Sequence, residues 1–154
     1  MIKRRMINKE DFSNTQVEKL KNYWLLKQEP STYSYDKLEK EKQTVWDGVH
    51  NNLALKHLRS MKKGDQALFY HTGDEKQAVG IIEIISNPYP NPKESDKRFV
   101  VVDLKAAQRL RRPVILDEIK KDTLFKNWEL LRISRLSVMP VPKNLWDAII
   151  KKSK

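Results

Sequence analysis

Apolar and polar residues alternate in short runs along most of this chain, and Gly, Pro, Asn and Asp separate the runs. Alternation of this period marks strands that bury one face. Tyr23–Gln28 (YWLLKQ) is apolar in its middle and polar at its end, and predicts a strand that Pro30 stops. Residues 44–46 (TVW) predict a second, which ends at the Asp47-Gly48 turn pair. Gln66–His71 (QALFYH) predicts a third, with Ala67, Phe69 and His71 on one face and Leu68 and Tyr70 on the other. Residues 78–85 predict a fourth, in which Gly80 marks a bulge or a tight bend. Residues 98–110 and 130–139 complete the set. The three prolines in residues 87–92 (NPYPNP) exclude regular structure there, and Tyr89 lies at the tip of that loop.

Helical spacing organises other segments. Leu53, Ala54, His57, Leu58 and Met61 share one face of a helix over residues 51–61. Ser34 can cap a short helix over 35–40, with Asp36 favourable in its first turn. Residues 116–121 predict another helix and 122–128 a helical turn. A last helix has Pro142 in its first turn and a stripe of Leu145, Trp146, Ile149 and Ile150. Strands do not alternate with long helices, so a doubly wound sheet is not expected. The fold class predicted is α+β: a small, curved, mixed or mostly antiparallel sheet or barrel of about six strands, with peripheral helices.

Charge adds a partner to this picture. Lys and Arg outnumber Asp and Glu by 31 to 20, a formal charge of +11, which favours polyanions and nucleic acid first. The plain alternative is a basic background with no ligand. There is no cysteine, so neither a disulfide framework nor a thiolate metal site is available. No apolar run is as long as a membrane span, and the basic start at Met1 to Met6 is not followed by an apolar signal core. A cytoplasmic, membrane-free protein is expected, a monomer or weak dimer. Residues 1–21 read as an appended basic arm, with a short helix anchored by Val17 and Leu20, and 22–154 as the folded domain.

The chemistry gathers at two strand ends. Lys27, Gln28 and Glu29 close the first strand, and Trp46 and Asp47 close the second. Together they are the parts of a small pocket for a flat polar ligand. Trp46 or Tyr70 can supply a stacking face. Gln28, Asn51 and backbone around Gly48 and Val49 can supply hydrogen bonds to a base edge. Lys27, Glu29 and Asp47 are also an acid–base set, although an ion pair tying the two strand ends together is the simpler reading. His71 ends a strand beside Tyr70 and is expected to line the pocket, whereas His57 belongs to the apolar face of its helix. None of the histidines has metal-binding spacing, and no phosphate-binding glycine loop is present. Arg109, Arg111, Arg112, Arg132 and Arg135 would form one phosphate-binding patch if the strands that carry them were neighbours.

The blocks WLLKQEP, TVWDGVHN, GDQALFYH, VGIIE, LLRISRLSVMPV and LWDAII, in that order over about residues 23–151, resemble the EVE domain family. That resemblance implies a PUA-like pseudobarrel related to the YTH and ASCH domains. It also implies a non-catalytic reader of modified bases, most often modified cytosines in DNA, with no cofactor or metal and with a separately encoded nuclease or restriction component as partner. Residues in the matching blocks are Lys27, Glu29, Pro30, Trp46, Asp47, Gly48, Val49, Asn51, Tyr70, His71, Arg132, Ser134 and Ser137. Gln28 stands where the family has serine, His50 where it has arginine and Asn52 where it has tyrosine. Two other readings remain open at this stage: an RNA-binding module indifferent to modification, and a small ASCH-like hydrolase using Lys27 and Glu29.

Overall fold

A computed structural model describes residues 21–154; the arm expected over residues 1–21 lies, except for Lys21, outside the described residues. The elements in chain order are β1 (Tyr23–Gln28), α1 (Tyr35–Glu41), β2 (Gln43–Trp46), α2 (Asn52–Arg59), β3 (Gln66–His71), β4 (Gln77–Ile84), β5 (Tyr89–Pro90), β6 (Val100–Ile115), α3 (Leu116–Lys121), a 3₁₀ turn (Thr123–Phe125), α4 (Glu129–Arg132), β7 (Val138–Pro140) and α5 (Lys143–Lys152).

The strands form one mixed sheet in the order β2-β6-β4-β3-β1-β7, with the short β5 paired to β6. Every pairing is antiparallel except that of β1 with β3. A parallel pair needs a crossover, and here the chain passes through α1, β2 and α2 between its two members. Helix α2 packs against both β6 and β7, which lie towards opposite ends of the strand order. The sheet therefore curls around α2 as a half-barrel, the small curved sheet that the alternation predicts.

The interior explains two residues that the pattern alone does not. A Cβ on Gly80 would enter the ring of Tyr35, so this strand glycine makes room for a fully buried aromatic side chain. The Tyr35 hydroxyl then donates to the Ile81 carbonyl at 2.8 Å. Asp65 is 2% exposed, and its carboxylate accepts from the Trp24 indole (2.9 Å) and from the backbone N–H groups of Lys62 (3.0 Å) and Asn22 (3.2 Å). A buried carboxylate is tolerated only with such donors, and this one ties β1 to the turn before β3.

Residues 87–92 are not wholly irregular, as the prolines led one to expect: Tyr89 and Pro90 pair with Val101 and Val100 as the edge strand β5, where a proline needs no ladder donor, and the Tyr89 hydroxyl donates to Asp103. Three further expectations are corrected. First, β6 does not end at Leu110 but continues to Ile115. Between the pairs Gly80–Arg109 and Ala78–Val114, β6 has four residues (110–113) for the single Val79 on β4. Pro113 sits in this bulge, where no ladder donor is required of it. Second, residues 130–139 are not a strand: only Val138–Pro140 is extended, and Glu129–Arg132 is a helical turn. The Trp128 carbonyl accepts from the N–H groups of Leu131 (3.0 Å) and Arg132 (3.2 Å), so the Leu-Leu pair closes on itself instead of pairing with a strand. Third, α2 buries Ala54, Leu55 and Leu58, while Leu53 is 38% exposed. Ala54, Leu58 and Met61 are buried as expected; the stripe loses Leu53 at one edge and gains Leu55 at the other.

Candidate nucleic-acid interface

Alternation along β1 sends Lys27 and Gln28 to opposite faces of the sheet at the strand's end. Each face carries a cleft there, so residues expected in one pocket divide between two.

The first cleft, of about 260 Å³, is lined by Gln28, Thr32, Tyr33, Thr44, Val45, Trp46 and Asp47. It lies between the end of β1, the turn after it and the end of β2. Trp46 forms its floor: the indole is 5% exposed and Phe69 meets it edge-on at 5.5 Å. Tyr33 is half-buried and supplies the more accessible ring. Its hydroxyl donates to Glu41 at 2.7 Å, and the Lys37 ammonium stands 5.4 Å from its ring centre. Burial first, then the hydrogen bond to Glu41, raises the Tyr33 phenol to about 12, so it is a neutral donor and a neutral stacking face at ordinary pH. The Gln28 carbonyl oxygen accepts from the Glu29 N–H at 2.9 Å. That bond fixes the side chain at the cleft wall and leaves its amide N–H groups as donors. Asp47 is exposed at the rim, and Gly48 turns the chain there with φ +78°. The cleft thus combines a ring face, a closed aromatic floor, amide donors and a carboxylate acceptor.

The second cleft, of about 300 Å³, is lined by Lys27, Tyr70, Thr72, Gly73, Lys76, Leu116, Lys120, Leu130 and Ser134. The parallel register sets Lys27 beside Tyr70, which brings Tyr70 to this face and not to the first cleft. The Lys27 ammonium donates to the Ser134 carbonyl at 2.9 Å and lies 5.9 Å from the centre of the Tyr70 ring. Burial lowers the Lys27 pKa and raises the Tyr70 phenol to about 12.

The remaining expected residues serve the frame. Glu29 accepts from the N–H and hydroxyl of Ser31 (3.4 and 3.3 Å) and lies against Gly73; among the described residues it makes no ion pair with Lys27. Pro30 enters the turn that follows β1. Val49 packs on the core. His50 is exposed beside Glu94 (3.4 Å) and Phe99 (4.7 Å between rings). Asn51 caps α2, its side chain accepting from the Ala54 N–H at 3.0 Å. Ser137 offers its carbonyl to the Lys27 N–H at 2.9 Å.

His71 is a correction, because it lines neither cleft. It is 7% exposed; its Nε2 accepts from the Tyr35 N–H at 3.1 Å, which leaves the Nδ1 proton for Glu75 at 2.8 Å. It pins the start of α1 to the end of β3. The single arginine patch is corrected too, since β4, β3 and β1 separate β6 from β7. Arg109 is held by Asp36 and Glu39, and Arg112 by Glu118 at 2.9 Å. Arg132 donates to the Asn127 carbonyl at 3.3 Å. Arg111 and Arg135 are exposed, and among the described residues neither has a carboxylate within 4.0 Å.

Sequence reasoning missed Thr32, Tyr33 and Thr44 in the first cleft and Lys76 and Lys120 in the second. Turn residues have no periodicity to follow. The only available signal for Tyr33 was an aromatic residue in a turn that joins two polar strand ends.

Comparison with known proteins fits this architecture. The EVE domain model matches residues 22–152. Mouse thymocyte nuclear protein 1 is 33% identical over 165 aligned residues, covering 85% of this chain and 73% of that protein. The solved structure of Rpa0253 from Rhodopseudomonas palustris is 39% identical, with a TM-score of 0.82 over 86% of this chain and 92% of that one. Human THYN1 protein in complex with 5-methylcytosine-containing DNA is 28% identical, with a TM-score of 0.80 over 86% of this chain and 98% of that one. An ASCH structure from Zymomonas mobilis, 10% identical with a TM-score of 0.55, shares the fold alone and fits the expected PUA-like class. On the family match and the half-barrel together, this chain belongs to the EVE domain family.

Proposed function

We propose that this chain is a non-catalytic nucleic-acid-binding module that captures a modified cytosine, flipped out of DNA, in the cleft between the ends of β1 and β2. The observation that carries this reading is the cleft itself: Tyr33 as a ring face, Trp46 as the floor, and Gln28 and Asp47 as donor and acceptor within one cavity of about 260 Å³. The human THYN1 structure, similar over most of both chains, holds 5-methylcytosine-containing DNA and supports the ligand class. Flipping costs a few kcal/mol of unstacking, and stacking on an aromatic ring returns about 1–3 kcal/mol per base. Edge contacts supply the remainder and the discrimination. The formal charge of +11 supplies salt-dependent attraction to phosphates, without sequence information. The Lys27 ammonium donates to the Ser134 carbonyl and the Glu29 carboxylate accepts from Ser31, framing roles that support recognition over catalysis.

The test is a pair of variants. Tyr33→Ala is expected to weaken binding of a 5-methylcytosine oligonucleotide by about 1–3 kcal/mol. Gln28→Ala is expected to reduce the preference for methylated over plain cytosine. If both variants keep wild-type affinity and preference, the base does not enter this cleft.

A further inference from the structure

The second cleft lies on the other face of β1 from the first and has the make-up of a site of its own. Three lysines, Lys27, Lys76 and Lys120, line it, and among the described residues none of them has a carboxylate within 4.0 Å. The Lys27 ammonium gives one proton to the Ser134 carbonyl and has two left. Lys76 adopts a left-handed φ of +48°. A lysine gains nothing locally from that backbone, which strains any residue with a Cβ. The conformation is fixed from α3, where the Leu116 N–H donates to the Lys76 carbonyl at 2.9 Å. The apolar part of the lining is Tyr70, beside Lys27 in register, Leu116, one turn before Lys120 on α3, and Leu130, and Thr72 adds a hydroxyl.

Charge selects the occupant. Three ammonium groups line the cleft, and the Glu29 carboxylate lies against Gly73. An internal phosphodiester carries one negative charge, whereas a phosphate monoester carries about 1.5 to 2 at neutral pH. We propose that this cleft binds the terminal phosphate of a nucleotide, with the phosphate on Lys27, Lys76 and Lys120 and the nucleoside against Tyr70, Leu116 and Leu130. The nucleotide is either free or the phosphorylated end of a nucleic-acid strand. This site is on the other face of β1 from the base cleft and stands whether or not that cleft reads modified bases.

Calorimetric titration of the full chain tests it. The probes are deoxycytidine monophosphate, deoxycytidine, inorganic phosphate, and unmodified oligonucleotides with and without a 5′-phosphate. Deoxycytidine monophosphate is expected to bind about tenfold or more tightly than deoxycytidine or inorganic phosphate. The double variant Lys76→Gly with Lys120→Ala is expected to abolish that advantage; glycine accepts the +48° backbone, so the fold is not taxed by the change. With that advantage present, a further gain for the 5′-phosphorylated over the unphosphorylated oligonucleotide names a strand end as the source, and no such gain names the free nucleotide. Equal binding of the nucleotide and the nucleoside, or an unchanged double variant, overturns the proposal. Inorganic phosphate matching the nucleotide overturns it as well, since the apolar lining would then have no role.

Discussion

Gly80 and Tyr35 show how one residue sets the shape of the sheet. The glycine leaves space for the tyrosine ring, and the tyrosine is wholly buried with its hydroxyl tied to Ile81. A methyl group there has nowhere to go. Overpacking of a core costs about 1–3 kcal/mol, so Gly80→Ala is expected to lower unfolding stability by at least this much in a denaturant titration; an unchanged midpoint would contradict the packing described. Asp65 makes the converse case. Replacing it with alanine leaves the Trp24 indole and two backbone N–H groups without their acceptor. Buried donors left unpaired cost about 1–3 kcal/mol, which the same titration would detect.

At the scale of elements, caps and registers decide which groups reach a ligand. Asn51 lies within the family block around WDG, yet its side chain caps α2. Asn51→Ala should therefore cost about 1 kcal/mol of stability and leave the preference for modified cytosine intact; a lost preference at unchanged stability would reassign Asn51 to the base. β1 and β3 were readable to the residue because their apolar middles and polar ends coincide with where pairing starts and stops. The segment over 130–139 was not, because Leu130-Leu131 suits a helical turn as well as a strand and only tertiary context chooses. The polar ends of β1 and β2 were readable as candidate chemistry. Their division between two clefts was not, since it depends on the parallel register that sets Lys27 beside Tyr70. His71 was misplaced for a related reason: the alternation gives its face but not that α1 covers that face.

For the molecule as a whole, two properties follow from what the half-barrel buries and displays. Tyr33, Tyr35, Tyr70 and Tyr89 have phenols raised from 10.0 to about 12, the first three chiefly by burial and Tyr89 chiefly by its hydrogen bond to Asp103. The folded chain then holds protons that the unfolded chain has released. Their stabilising effect is complete below pH 10 and is lost as the pH rises towards 12. Thermal unfolding followed alongside phenolate absorbance across that window should show the loss; tyrosines that ionise at 10 without loss of stability would contradict it. The second property is selectivity over a charged background. A surface with a formal charge of +11 attracts any nucleic acid at low salt, so affinity alone does not distinguish a reader from a basic surface. The most direct measurement is a titration with DNA oligonucleotides that differ only by one 5-methyl group on cytosine, at low and at higher salt. The account predicts a preference for the methylated strand that persists as overall affinity falls with salt, because the cleft's contacts are short-range and the phosphate contacts are screened. Equal affinity for both strands, vanishing together as salt rises, would contradict it.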